Sequence, residues 1–70
     1  MKRRDLIKKI TEASAQAGVA FGEVREGGSH TVYRCGGENV IVPRHNEINE
    51  ITAKSIMKNL ESELGEGWWR

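Results

Sequence analysis

Cysteine is nearly absent from this chain. The single thiol, Cys35, cannot close an internal disulfide and has no further cysteines with which to build a zinc site, so the sequence predicts a reducing, cytoplasmic setting. No apolar run exceeds a few residues, which argues against a membrane-spanning helix. Met1-Lys2-Arg3-Arg4-Asp5 starts as a secretory leader does, but Leu6-Ile7 runs at once into Lys8-Lys9, so no apolar segment develops and no export is expected. Aspartate occurs once, at Asp5, and nothing in the spacing sets it beside Ser29 and a histidine, which removes the case for a serine triad. The two histidines, His30 and His45, stand fifteen positions apart without a nearby cysteine and make a poor zinc pair, so no metal or cofactor is expected.

What is present fits one small domain. At 70 residues, 37% hydrophobic and 30% charged, the chain has enough grouped apolar residues to fold but room for only a thin core. Residues 1–70 therefore read as a single domain with its core in 2–64 and a tail in 65–70. The net charge of +1 hides an asymmetry, because residues 1–44 carry eight Lys or Arg against five Asp or Glu, and residues 45–70 three against five. Lys2, Arg3, Arg4, Lys8 and Lys9 cluster near the start, with Arg34 and Arg44 further on. Such a cluster either meets phosphates, releasing their counterions, or is simply the solvated face of a helix.

Leu6, Ile7, Ile10, Ala13 and Ala17 recur at three and four with no Pro or Gly between them, which predicts a helix over 2–17 stopped by Gly18. Residues 19–25 suggest a strand bent or bulged at Gly22, and Gly27-Gly28 a turn. His30 to Cys35 is rich in β-branched and aromatic types and reads as a strand. Gly36-Gly37-Glu38-Asn39 then connects it to Val40-Ile41-Val42, which Pro43 ends. Asn49 is the expected N-cap of a second helix, whose apolar stripe Ala53, Ile56, Met57, Leu60 and Leu64 runs to Gly65. The order α-β-β-β-α predicts an α+β two-layer sandwich, a three-stranded antiparallel sheet with two helices on one face. Trp68 and Trp69 in the tail are expected to pack back on the domain. Tyr33 and Met57 read as packing residues, Cys35 as a small buried hydrophobe, and His45 as a loop hydrogen bonder.

Arg4-Asp5-Leu6-Ile7-Lys8, Gly28-Ser29-His30-Thr31-Val32-Tyr33-Arg34, Val42-Pro43-Arg44-His45 and Glu47-Ile48 with Thr52 before Ile56-Met57 together resemble the HicA family of toxins. The resemblance covers roughly residues 2–64 and is most specific at Gly-Ser-His. It implies a fold like that of double-stranded-RNA-binding domains and an mRNA interferase activity. It also implies a catalytic role for His30 and a HicB antitoxin as partner, expected to mask the His30 face. The chain departs from the family in a longer segment before Gly28, in its trimmed hairpin, and in Ile51, where glycine is common.

The chemistry suits the residues. RNA carries its own nucleophile, the 2′-hydroxyl, so cleavage needs a base, an acid and cations for the phosphorane charge. Histidine, ordinarily titrating near 6.5, can move that proton without a metal ion, and His30 is the candidate base or acid. Gly28 and Ser29 give the backbone room to approach a phosphate. Period two sets Arg34 on the same strand face as His30, where it could bind phosphate, although Val32 shares that face and leaves open which face is exposed. Arg3, Arg4, Lys8 and Lys9 are the candidate RNA-binding or supporting residues. Two other readings remain: a noncatalytic RNA-binding module that reads A-form shape, and an inactive toxin remnant that still binds its antitoxin.

Overall fold

Arg3–Ala17 form helix α1 in the computed structural model, which describes all 70 residues. The helix ends as its sequence predicts: Gly18 adopts φ 71°, and its N–H turns back to the carbonyls of Ser14 and Ala15. Its inward stripe differs from the expected one. Leu6, Ile10 and Ser14 are buried, whereas Ala13 is half-buried and Ala17 exposed. Steps of four from Leu6 reach Ser14, whose Oγ lies 3.5 Å from the Cys35 Sγ and is thereby partnered inside the core.

Three strands follow, β1 (Phe21–Glu26), β2 (His30–Cys35) and β3 (Glu38–Pro43), in one antiparallel sheet of order β1-β2-β3. The irregularity expected at Gly22 lies elsewhere. Gly22 pairs in register with Arg34, and the register shifts between Glu23 and Arg25, leaving Val24 as the extra residue. A glycine is not needed for this, since Val24 bulges without a positive φ. The hairpin is also tighter than predicted: Glu38 and Asn39 belong to β3, and only Gly36-Gly37 make the turn. Gly36 takes φ 60° and Gly37 does not, the pattern of a type II′ turn with glycine at its first central position. Pro43 is the last residue of β3, a sheet-edge position where a missing N–H costs nothing.

Asn49 caps α2 (Glu50–Asn59), its side-chain oxygen accepting the Ile51 N–H at 2.8 Å. The second helix does not run unbroken to Gly65. It breaks at the fully buried Leu60, and α3 (Glu61–Leu64) is a separate turn. Met57 explains the break: its carbonyl accepts the Leu60 N–H at 3.2 Å and the Trp68 indole N–H at 2.7 Å, so the tail packs where the helix would have continued. Trp69 lies edge-on to Trp68, with the Arg70 guanidinium 5.3 Å from the Trp69 ring centre.

Thr31 and Cys35 of β2 and Val40 and Val42 of β3 are buried, while Arg34 and Ile41 between them are exposed. The buried set packs with Leu6, Ile10, Ile48, Ala53, Ile56, Met57 and Leu60. Both long helices therefore cover one sheet face and leave the other open, the two-layer α+β arrangement predicted from the element order. No helix is long and apolar enough to cross a membrane.

Candidate functional site

His30 is the first residue of β2 and is exposed. Thr31, next in the strand, points into the core at 1% exposure, so alternation turns His30, Val32 and Arg34 to the uncovered face. The open question of which face is exposed is thus decided by packing. Pro43 lies directly across from His30 on β3, Ile41 across from Val32 and Asn39 across from Arg34.

The turn before His30 is closely wound. Gly27 donates its N–H to the His30 carbonyl at 2.8 Å, and a Cβ on Gly27 would stand 3.0 Å from that oxygen. Gly28 is different. Nothing lies within 4 Å of where its Cβ would be, and its φ is not positive, so neither packing nor backbone demands a glycine there. Ser29 is exposed, and its carbonyl accepts the Arg44 N–H at 3.0 Å.

The cations predicted around His30 do not all gather there. Arg34 shares the open face, but it stands four residues along β2, about 13 Å away by strand rise, and its Nε donates to the Gly36 carbonyl at the hairpin end. Lys8, Lys9 and Arg4 belong to α1, in the layer behind the sheet; Arg4 and Lys8 are exposed and Lys9 is half-buried. Arg3 turns inward: its Nε donates to the Pro43 carbonyl at 3.0 Å, and its Nη2 donates to the Thr31 hydroxyl at 3.0 Å and the Tyr33 hydroxyl at 3.5 Å. Tyr33 stacks on Phe21 with ring centres 5.1 Å apart, as a packing residue should. His45 is exposed beyond β3.

Arg25 is the cation that sequence reasoning missed. The bulge at Val24 brings it opposite Val32, on the face of His30, at a diagonal distance of about 7–8 Å between strands. Unbroken pairing beyond Glu23 would instead have set Arg25 opposite Thr31, on the covered face. No sequence signal located the bulge, because Val24 has nothing unusual about it. The open face thus presents His30 with Arg25 near it, Arg34 at its far end, and Val32 and Ile41 between them. No three His, Cys, Asp or Glu side chains converge to hold a metal.

A family model described as the HicA toxin of bacterial toxin-antitoxin matches residues 3–61. No curated protein and no solved structure matches the chain.

Proposed function

The chain belongs to the HicA toxin family of bacterial toxin-antitoxin systems, and on that premise we propose that it is an endoribonuclease that cleaves mRNA with His30. The observation that carries this reading is the placement of His30 at the exposed start of β2, on the sheet face that the helices leave open. A proton-transfer group must reach its substrate before its chemistry matters. Gly28 supports the same reading. A glycine that the fold does not require lets a phosphate approach the backbone closely.

RNA lies across the open face with its scissile phosphate at His30. The imidazole takes the proton of the 2′-hydroxyl as that oxygen attacks phosphorus. The bond from phosphorus to the 5′ oxygen breaks, leaving a 2′,3′-cyclic phosphate; the departing oxygen takes a proton from water to become the 5′-hydroxyl, and the imidazolium returns its proton to solvent. Arg25 neutralises charge on the phosphorane, and Arg34 holds a phosphate further along the strand. A HicB-type antitoxin silences the enzyme in the cytoplasm by covering this face.

RNA decay in cells expressing the chain, with and without His30→Ala at matched protein levels, tests the proposal. Positioned proton transfer is worth roughly 10²–10⁴ in rate, so the variant should stop cleavage and growth arrest while still binding RNA. Equal decay from both proteins removes His30 from the chemistry. No decay from either favours a noncatalytic RNA-binding module or an inactive remnant that keeps its antitoxin. An antitoxin that stops decay yet leaves His30 fully accessible to an imidazole-modifying reagent would overturn the masking.

A further inference from the structure

Arg44 follows β3 and carries a charge that composition alone would assign to RNA, but its bonds run to the turn that presents His30. Its backbone N–H donates to the Ser29 carbonyl at 3.0 Å and its Nη1 to the Gly27 carbonyl at 3.4 Å. Its Nε lies 3.8 Å from the Glu26 Oε1, which also accepts the Thr31 hydroxyl at 2.7 Å. Thr31 in turn accepts from Arg3. The Gly27–Ser29 turn is therefore tied down at two carbonyls by one residue. The strand residues on either side of the turn, Glu26 and Thr31, are joined to each other and to Arg44 through one carboxylate oxygen.

We propose that Arg44 is a positioning residue, which with Glu26 clamps the Gly27–Ser29 turn so that the His30 imidazole meets the scissile phosphate in a fixed place. The proposal rests on the nuclease reading of His30. Two features favour placement over direct contact with RNA. The guanidinium spends its Nη1 and Nε on Gly27 and Glu26, and the carboxylate facing it would repel a phosphate arriving at the same spot. A turn with two glycines has no side-chain packing of its own, and its internal hydrogen bond from the Gly27 N–H to the His30 carbonyl leaves the Gly27 and Ser29 carbonyls to be fixed by bonds from outside the turn. The Arg44 and Glu26 side chains are each about half exposed, at 48% and 49%, so the clamp adds little to global stability and acts on local geometry.

Arg44→Lys and Glu26→Gln separate the two roles. Each is measured for single-turnover cleavage of a defined RNA, for amide exchange at Gly27, and for melting temperature. RNA affinity is measured in the His30→Ala background, where the substrate survives. Placement predicts that both variants speed Gly27 exchange and slow cleavage about tenfold or more, with affinity and melting temperature near the parent values. An RNA-contacting Arg44 predicts the reverse: lysine substitutes well, and removing the Glu26 charge tightens binding. That result, or parental Gly27 exchange and cleavage in both variants, overturns the proposal. If His30→Ala itself cleaves at the parental rate the nuclease reading fails separately, and Gly27 exchange still decides whether the clamp exists.

Discussion

The guanidinium of Arg3 reaches the Pro43 carbonyl and the Thr31 and Tyr33 hydroxyls, so one residue of the basic cluster works inside the framework. Hydrogen bonds to a charged group contribute about 1.5–3 kcal/mol, and Arg3→Gln should destabilise the fold by about that amount, read as a lower urea midpoint with an unchanged slope. A role confined to RNA would leave the midpoint where it is. Gly36 carries a second residue-scale expectation. Its φ of 60° is strained for an L side chain, and a Cβ would press on the Glu63 carboxyl and the Val19 methyl. Gly36→Ala should cost about 1–2 kcal/mol in the same measurement, more than a glycine of ordinary φ such as Gly28. Neither the task of Arg3 nor that of Arg44 is legible in sequence, because a cation's partners come from distant segments; the contacts of Arg3 lie 28, 30 and 40 positions away.

Elements whose signals are local were readable. Gly18 stops α1 and Asn49 starts α2 for reasons contained within a few residues. Asn49→Ala should therefore lower stability by about 1 kcal/mol, since the Ile51 N–H loses its acceptor, and Asn49→Ser should recover most of the loss. Thermal unfolding of the two variants checks this. Elements shaped by their neighbours were not readable. The apolar spacing through Leu64 describes a continuous helix, yet Leu60 sinks into the core and the Trp68 indole claims the Met57 carbonyl, so the chain turns there instead. The bulge at Val24 is similar, an adjustment of β1 against β2 that no residue of β1 announces. Its effect on the site is large, because it turns Arg25 to the face of His30.

At the scale of the whole molecule, the start of the chain is fastened to the segment that precedes α2. The Met1 amine contacts the Glu47 carboxylate at 2.7 Å and the Glu50 carboxylate at 3.3 Å, Arg3 donates its N–H to Asn46, and Ile48 donates to the Met1 carbonyl. The hydrogen bond with Glu47 raises the amine's pKa, and the same bond lowers that of Glu47. The amine's contribution is complete below its ordinary value of 8.0 and fades as pH rises through the raised value. That of Glu47 is complete above its ordinary value of 4.5 and fades as pH falls through the lowered one. The melting temperatures of the parent and of Glu47→Gln should differ most between these limits and converge outside them. A difference independent of pH would assign Glu47 a role other than this pair. The sequence by itself determined the order of the strands and the two long helices, the Gly18 and Asn49 caps and the two-layer architecture, since these follow from periodicity and turn chemistry close along the chain, and its resemblance to the family singled out His30 as the candidate group. Only the tertiary structure decided which sheet face stays open, which arginine stands near His30 and which are held in the framework. Those outcomes depend on how the helices cover the sheet and how one strand bulges against the next, relations between segments that no local pattern contains.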